Sequence, residues 1–424
     1  MKGKTVKAKT AKAKEMREVV ITGYLRTALS RSRPNDPGRD WFHKLRSDDL
    51  LAKLLPEVIK TTGIKAEEID DFIVGSAMGV SEQWTYGGRY PILLANLPQT
   101  IAAKFVDQQC GSSMAGIHIA FMEIAMGFAD IAMVGGMEHM TRVPMGAALL
   151  QMGAISPNQR LFTDPAFKHW DMMTTTNMGL TAEKLFTMRG FTKEDMDRWG
   201  TRAHQLASKA QKEGFFKDEI LPIEAEQADG KMLVVDQDQA IRDDATYEGM
   251  KDLKPAFKPD GVITAGNSSP LNAAATSMIL MSKETAKKKG IQPMATIRSI
   301  GFAGVDPTIM GVGPVPASRM ALEKAGLQAK DIDYWEINEA FAIVALNCIG
   351  ARHRSRPSEC DGRGHSHRPS FGSNWGPSGR NPFPDPKSQG WTLWPGQRLC
   401  RRRSGSGYHH RERALRFSHP DSLV

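Results

Sequence analysis

Two segments of the chain repeat each other without a gap, and this repeat constrains the fold more than any other feature of the sequence. Residues 63–75 read GIKAEEIDDFIVG and residues 326–338 read GLQAKDIDYWEIN. Each copy follows a helical pattern and leads into an apolar strand pattern. The repeat indicates a duplicated unit whose two halves pack against each other. A chance similarity between two helix-to-strand connections is the alternative.

Strand and helix patterns alternate along the first third of the chain. Residues 17–23 and 69–75 are short apolar runs typical of buried strands. Residues 48–62 place leucine, valine and isoleucine at three- and four-residue steps, after Ser47 or Asp48 as the N-cap. Strands that alternate with helices of this length predict a mainly parallel sheet covered on both faces, and hence an α/β fold.

A cysteine lies where a predicted strand gives way to a predicted helix. Residues 100–106 read as a strand, a turn follows at Gln109-Cys110-Gly111, and residues 112–128 carry apolar side chains at helical spacing. The free amides and positive dipole end of that helix favour an anion. We therefore expect the pKa of Cys110 to be lowered and its thiolate to serve as an acyl acceptor. The alternative is a buried cysteine that acts as a small apolar residue.

The residues around Cys110 form a block long enough to be specific for one family. It reads QQCGSSMAG at residues 108–116 and VGGMEHMT at residues 134–141. This block resembles the nucleophile region of the thiolases, which are acetyl-CoA acyltransferases. The resemblance extends from Arg17 to Ile349 and implies that Cys110 is the nucleophile.

The resemblance implies a thiolase-like α/β fold of two duplicated βαβαβ-type halves, layered α-β-α-β-α, with an inserted loop domain. The segments expected from it follow one another along the chain. They are a disordered Lys-rich extension (1–15), the first half with the nucleophile (16–141), the loop domain that covers coenzyme A (142–254), a return to the first half (255–290), a truncated second half (291–349) and an aberrant basic tail (350–424).

Five residues match positions on the substrate side of the thiolase site. The resemblance places Met178 in the part of the loop domain that covers coenzyme A, Arg242 near the nucleotide end, and Ser269 beside the pantetheine. It places Met310 in the acyl pocket and makes Phe341 a wall of the site. On the residues alone, methionines in such a loop also fit adaptable packing, and Arg242 also fits a solvated helix end.

Asn338 is the first residue of Asn338-Glu339-Ala340-Phe341-Ala342, the last segment that matches a thiolase motif. In thiolases the matching asparagine holds a water in an oxyanion hole, whereas on the residues alone Asn338 could equally cap a helix over 339–349. The family also uses a histidine in Gly-His-Pro as base and oxyanion donor, and a second cysteine in Cys-x-Gly to move the α-proton. After residue 349 neither motif occurs in the family's order, because Cys-Asp-Gly at 360–362 precedes Gly-His-Ser at 364–366.

The composition changes abruptly at Gly350. Residues 350–424 hold fourteen Lys and Arg against five Asp and Glu, a balance that equals the net charge of +9 for the whole chain. With five Leu, Ile or Val and no Met, the segment cannot bury enough apolar surface to order itself. We interpret the change as a shift of reading frame, and an arginine-rich RNA-binding tail is the alternative.

The remaining expectations concern partners and compartment. The four cysteines show neither metal spacing nor a paired framework, which favours a reducing compartment such as the cytoplasm. No apolar run is long enough to span a bilayer, and the Lys-rich start lacks the features of a mitochondrial presequence. We expect no metal, no permanently bound cofactor, no nucleic-acid partner and no membrane contact. The resemblance implies coenzyme A and acyl-CoA as substrates, and a homodimer or homotetramer.

Two functions follow from these expectations. The first is an acyl-CoA C-acyltransferase of fatty acid metabolism, including β-oxidation, that runs the reversible Claisen condensation and thiolytic cleavage of 3-ketoacyl-CoA through an acyl-Cys110 intermediate. The second is a catalytically impaired remnant that binds coenzyme A but lacks the C-terminal histidine and cysteine. Neither the acyl chain length nor the direction of the pathway follows from the residues.

Overall fold

The computed structural model describes residues 16–151, 153–353 and 422–423. The strands are β1 Val19–Arg26, β2 Ser30–Arg31, β3 Asp71–Gly75, β4 Ala102–Val106, β5 Ile131–His139, β6 Ile223–Glu226, β7 Met232–Val235, β8 Asn272–Ser282, β9 Ala295–Ile297 and β10 Ser422–Leu423. The α-helices are α1 Ser47–Thr62, α2 Arg89–Leu94, α3 Ser112–Met126, α4 Ala147–Gln151, α5 Arg160–Thr163, α6 Met172–Thr175, α7 Met178–Thr187, α8 Lys193–Lys212, α9 Tyr247–Met250, α10 Lys283–Lys289, α11 Pro314–Ala325 and α12 Ala342–His353. Short 3₁₀ helices lie at Pro37–Arg39, Ala66–Glu68, Ser81–Gln83, Pro165–Trp170, Pro307–Val312 and Ala329–Asp331.

The central sheet is mixed in direction. Its strands lie in the order β10-β9-β1-β8-β5-β3-β4, and β2 pairs with β8. Strand β3 pairs in parallel with β4 and β5, whereas β8 runs antiparallel to both β1 and β5. The α/β class is confirmed, but the prediction of a mainly parallel sheet is wrong. The reason is that β8, a strand from late in the chain, lies between β1 and β5 and runs antiparallel to both.

Helix α1 covers one face of this sheet. It begins at Ser47, and its N-cap is Arg46 rather than Ser47 or Asp48 as predicted. Its leucines pack in a core with Phe72 of β3 and Ile279 of β8. The helical spacing read from the sequence therefore marks the buried side of α1 correctly.

Leu54→Ala tests how much the packing of α1 against the sheet contributes to the stability of the fold. Leu54 is 0% exposed, so the substitution leaves a cavity, and we expect the free energy of unfolding to fall by about 2–5 kcal/mol. Chemical denaturation followed by circular dichroism measures the change. Lys53→Ala, at an exposed position of the same helix, is the control and should stay within about 0.5 kcal/mol of the wild type. A Leu54→Ala chain as stable as the control would contradict this packing.

Helix α3 covers the other face and begins two residues after Cys110. Its Ile124 and Ala125 are buried against the sheet. Gly127 ends the helix in the left-handed conformation, with a φ of 81°, and Phe128 beyond it is 84% exposed. The predicted helix over 112–128 is therefore too long at its end, because a glycine with positive φ is a common helix terminator.

The two copies of the repeat share their local structure up to the point where the strand should begin. The glycine that opens each copy ends a helix in the left-handed conformation, with a φ of 70° in the first copy and 67° in the second. A 3₁₀ turn follows in each. Lys65 N donates to Glu68 Oε2 at 2.9 Å, and Gln328 N donates to Asp331 Oδ2 at the same distance. This correspondence supports duplication over chance similarity.

The second copy does not continue as a strand. The first copy enters β3, which has β4 on one side and β5 on the other. Residues 334–339 have no regular secondary structure, and none of the described strands pairs with them. Strand-forming sequence needs neighbouring strands to form a ladder. In the described part of the chain, the first copy therefore has strand neighbours that the second copy lacks.

The segments predicted to be disordered lie largely outside the described residues. These are residues 1–15 and most of 350–424. Residues 350–353 complete α12, and β10 pairs in parallel with β9.

A buried ion cluster joins β1 to the segment predicted as the loop domain, 142–254. Arg26 Nε donates to Glu219 Oε1 at 2.8 Å, and its terminal nitrogens donate to the Asp238 carboxylate at 2.8 and 3.1 Å. Arg26 is 1% exposed. Burial alone would lower its pKa, but Asp238 and Glu219 raise it, so the guanidinium stays charged.

Candidate active site

Cys110 lies on a strained turn between β4 and α3, as the sequence predicts. Gln109, the residue before it, has a φ of 49°, a left-handed conformation that is uncommon for a residue with a side chain. Ser112 holds this turn from inside, because its Oγ accepts from Gln108 N at 2.9 Å and donates its one hydrogen either to Gln109 O at 2.6 Å or to Ser76 O at 3.1 Å. Cys110 itself is exposed. The alternative, a buried cysteine that acts as a small apolar residue, is therefore wrong.

The electrostatics of Cys110 differ from the prediction. The pKa of its thiol is raised, chiefly because the surrounding protein removes water from part of the sulfur environment, with a smaller contribution from the negative charge of Glu138. A backbone hydrogen bond opposes these effects without reversing them. The resting form is the thiol, so a proton acceptor is needed before the sulfur can attack an acyl group.

Glu138 is the carboxylate whose charge raises the pKa of the Cys110 thiol. The sequence alone assigned no role to this residue. It stands near the end of β5, where Oε2 accepts from Ala77 N at 2.9 Å and Oε1 accepts from Gln83 Nε2 at 2.5 Å. Burial raises the pKa of Glu138 to about 6, although Ala77 and Gln83 each lower it by hydrogen bonding to the charged form. The only hint in the sequence is its place in the block VGGMEHMT.

Two distant segments pair to form a second part of the site. Ser269 N donates to Ala340 O at 2.9 Å, Ala342 N donates to Asn267 O at 2.9 Å, and Ser268 forms a bridge with Phe341. The predicted residues Ser269 and Phe341 therefore lie together, although 71 residues separate them in the sequence.

An apolar wall stands beside these paired segments. Phe341 is 6% exposed and packs edge-on against Phe257, with 5.9 Å between the ring centroids. Met178 packs against the same cluster from the start of α7. Met310 lies on the 3₁₀ helix Pro307–Val312, which is tied to α7 by a bond from Lys184 Nζ to Thr308 Oγ1 at 2.5 Å. The structure thus places Met178, Ser269 and Phe341 around one apolar region, and Met310 on a helix that is bonded to α7 beside that region.

Arg242 and Ser269 line one small pocket. The cavity measures about 170 Å³ and is open to solvent. Its polar lining residues are Arg31, Ser32, Arg33, His204, Arg242, Ser268 and Ser269.

The charges in this pocket have one sign. Burial lowers the pKa of Arg31, and Arg242 and Arg33 lower it further by repulsion. Burial likewise lowers the pKa of His204, with added repulsion from Arg242 and Arg31. Crowded cations of this kind favour an anionic ligand. Arg31 and Arg33 were missed by sequence reasoning because they lie about 200 residues before Arg242, too far for any local pattern to connect them.

Comparison with known proteins identifies the family. The family model described as Thiolase, N-terminal domain, matches residues 19–284, and that described as Thiolase, C-terminal domain, matches residues 291–356. The chain belongs to the thiolase family. The family resemblance read from the block around Cys110 is confirmed.

Relatives of known name extend this result. The chain is 40% identical over 332 residues to a 3-ketoacyl-CoA thiolase of Marinobacter nauticus, an alignment that covers 78% of this chain and 81% of that protein. It is similar in structure to an acetyl-CoA acetyltransferase of Bacillus anthracis, with a TM-score of 0.69, 33% identity and coverage of 80% and 84%. An acetyl-CoA acetyltransferase from Syntrophomonas wolfei gives a TM-score of 0.68, 29% identity and the same coverage. The fold is the thiolase fold.

Asn338 of this thiolase lies in the irregular segment before α12. The helix begins at Ala342, so the alternative in which Asn338 caps a helix over 339–349 is wrong. Asn338 is half-buried. Among the described residues no hydrogen bond joins Asn338 to Cys110.

In the described part of the chain, no helix combines the length and the apolar character that crossing a membrane requires.

Proposed function

We propose that this thiolase is an acyl-CoA C-acyltransferase that works through an acyl-Cys110 intermediate. The observation that carries the proposal is the exposed thiol of Cys110 on the strained turn at the start of α3, in a chain of the thiolase family. Such a turn presents sulfur to a substrate while the helix behind it keeps the backbone fixed. The relative named 3-ketoacyl-CoA thiolase supports a 3-ketoacyl-CoA as the substrate.

The chemistry has two half-reactions. In cleavage, the Cys110 sulfur loses its proton to a base and attacks the 3-keto carbon, the bond between the α- and β-carbons breaks, and the departing acetyl-CoA enolate takes a proton at its α-carbon. The thiol of a second coenzyme A then attacks the acyl-cysteine, which releases a shortened acyl-CoA and returns the proton to Cys110. Condensation is the reverse. Asn338 is proposed to hold a water that donates to the oxygen on which negative charge develops.

The pocket at Arg242 is proposed to hold the nucleotide end of coenzyme A. Its arginines suit phosphate groups, and Ser269 connects this pocket to the apolar wall at Met178 and Phe341. A pantetheine chain passing Ser269 would bring the thioester towards the acyl pocket that we assign to Met310. Coenzyme A is a substrate in this proposal and not a resident cofactor.

Arg242→Ala is expected to weaken coenzyme A binding by about ten- to a hundredfold, since a charge-assisted contact with phosphate is removed. Isothermal titration calorimetry at fixed salt measures the change. The control is Arg198→Ala, because Arg198 pairs with Glu194 on the surface of α8 outside the pocket. Equal affinities of the Arg242→Ala and Arg198→Ala chains would contradict the proposed phosphate site.

The catalytically impaired coenzyme A-binding remnant is the second candidate. Two observations favour it: the raised pKa of Cys110 requires a base, and the family's Gly-His-Pro motif does not occur after residue 349. The deciding assay follows consumption of a 3-ketoacyl-CoA in the presence of free coenzyme A. Turnover that Cys110→Ala abolishes supports the acyltransferase. A folded chain that binds coenzyme A in the calorimeter without turnover supports the remnant.

The same proposal covers the origin of the tail, the oligomeric state, the location and the metabolic role. The tail after Gly350 is proposed to arise from a shift of reading frame, which sequencing the coding DNA and translating all three frames would test. Assembly as a homodimer or homotetramer is expected from the family, with light scattering as the measurement. We also propose a cytoplasmic location and a role in fatty acid metabolism, including β-oxidation.

A further inference from the structure

Glu138 connects two segments that converge on the thiol site. The strands β5, β3 and β4 are parallel neighbours, so their carboxyl ends meet at one edge of the sheet. Glu138 stands near that end of β5, residues 76–78 follow β3, and the Cys110 turn follows β4. Side chains from all three strand ends are therefore near one another.

The Glu138 carboxylate holds the loop that follows β3. Its Oε2 accepts from Ala77 N at 2.9 Å and from Ser76 Oγ at 3.4 Å. Gln83 Nε2 donates to Oε1 at 2.5 Å and also to Met78 O at 2.8 Å. One carboxylate and one amide thus fix three consecutive residues, 76 to 78, by their backbone or side-chain groups.

That loop is in turn bonded to the Cys110 turn from both sides. Ser112 Oγ lies 3.1 Å from Ser76 O and donates to it or to Gln109 O. Gln109 Nε2 donates to Ala77 O at 3.3 Å. A displacement of residues 76–78 would therefore remove support from the left-handed residue that precedes the nucleophile.

Among the residues that the structure describes, no cation pairs with the Glu138 carboxylate. Asp107, after β4, adds a second negative charge and raises the pKa of Glu138. Glu82, beside Gln83, is paired with Arg142 at 2.8 Å. The pKa of His139, the next residue along β5, is lowered by burial, so its ring is neutral at pH 7. In the part of the chain that the structure describes, the Glu138 charge therefore has no ion-pair partner, and it makes a smaller contribution than burial to the raised pKa of the Cys110 thiol.

We propose that Glu138 is a positioning residue of the thiol site, which fixes residues 76–78 against the Cys110 turn and places a negative charge near the sulfur. The inference rests on Cys110 being the acyl acceptor of the proposed function. Its test measures the reactivity of the Cys110 thiol and does not require turnover. The proposal for Glu138 and the proposed function can therefore fail separately.

The test is the pH profile of Cys110 alkylation by iodoacetamide, measured by mass spectrometry on the tryptic peptide that contains Cys110. In the wild type, protonation of Glu138 removes its repulsion of the thiolate, so the logarithm of the rate should rise less steeply with pH around pH 6, where the pKa of Glu138 lies. Glu138→Gln should abolish this inflection and raise the rate at pH 7.5 by about three- to tenfold, which corresponds to half to one pKa unit of the thiol.

The matched control is Glu123→Gln, which removes another partly buried carboxylate, bound to Lys104, from the far part of α3. Its profile should keep the inflection and the rate of the wild type. A Glu138→Gln profile that superimposes on the wild type, or a Glu123→Gln profile changed equally, overturns the proposal.

Two more variants separate position from charge. Glu138→Asp keeps the negative charge but is too short to reach both Ala77 and Gln83, so the inflection should remain while the Ala77 amide exchanges its hydrogen faster. If Glu138→Gln does not fold, as circular dichroism would show, Gln83→Ala replaces it. Loss of the Gln83 bond should raise the pKa of Glu138 and move the inflection to higher pH, and an unmoved inflection overturns the proposal.

Discussion

Replacement of Cys110 by alanine is expected to reduce acyl transfer by at least about three orders of magnitude, because the reaction then has no atom to carry the acyl group. The loss should appear in kcat/KM for a 3-ketoacyl-CoA, with coenzyme A binding unchanged in the calorimeter. Cys110 is exposed on its turn, so alanine removes the thiol without opening a cavity in the core. The effect is chemical and should not reduce stability.

Cys348→Ala is the matched control for this substitution. Cys348 lies in α12, and burial raises the pKa of its thiol to about 11. A thiol with so high a pKa is a poor nucleophile at neutral pH. The Cys348→Ala chain should therefore retain the wild-type rate. Loss of acyl transfer in this control, with activity kept in Cys110→Ala, would contradict the assignment of the nucleophile.

Arg26→Leu is expected to have the largest effect on stability. The substitution leaves the carboxylates of Glu219 and Asp238 buried without their cation; Asp238 is 4% exposed and Glu219 is 8% exposed. Removing one member of a buried charge cluster costs about 3–5 kcal/mol of the free energy of unfolding. Because the cluster joins β1 to the segment 142–254, protease cleavage in that segment should also become faster.

The control for Arg26→Leu is Arg160→Leu. Arg160 pairs with Asp164 at 3.1 Å on the surface, where its side chain is 68% exposed, and such pairs contribute roughly 1 kcal/mol or less. Denaturant unfolding measures both variants under the same conditions. Equal midpoints for the two variants would show that the buried cluster does not hold the two segments together.

Local features of the structure could be predicted from the sequence. The spacing of leucines identified α1, and the order of strand, turn and helix around Cys110 was correct because it depends on residues that are neighbours in the chain. The repeat gave matching 3₁₀ turns at Ala66–Glu68 and Ala329–Asp331 for the same reason. Phe128 was placed wrongly because Gly127 ended α3 before it.

Features that depend on distant residues could not be predicted in this way. The antiparallel entry of β8 between β1 and β5 follows from strand order, which no local pattern contains. Arg31 reaches the pocket at Arg242 only because the chain folds back on itself. The helix dipole argued for a lowered pKa of Cys110, but the pKa is raised, chiefly by burial and to a smaller degree by the charge of Glu138, and neither effect was visible in the sequence.

The raised pKa of Cys110 also changes how the site is understood. A thiolate available at rest would need no base, whereas the thiol found here depends on one. The family assigns that base to a histidine in Gly-His-Pro. Activity of this chain would therefore show that another group accepts the proton of the Cys110 thiol. Alkylation of Cys110 measures the reactivity of the thiol itself.

The most direct test that Cys110 carries the acyl group is intact-mass spectrometry of the chain after incubation with a 3-ketoacyl-CoA and rapid acid quenching. The account predicts one acyl group per chain, located by peptide mapping at Cys110 and removed when coenzyme A is added before the quench. Substrate consumption with no acyl group on Cys110, or an acyl group on Cys348 instead, would contradict the account.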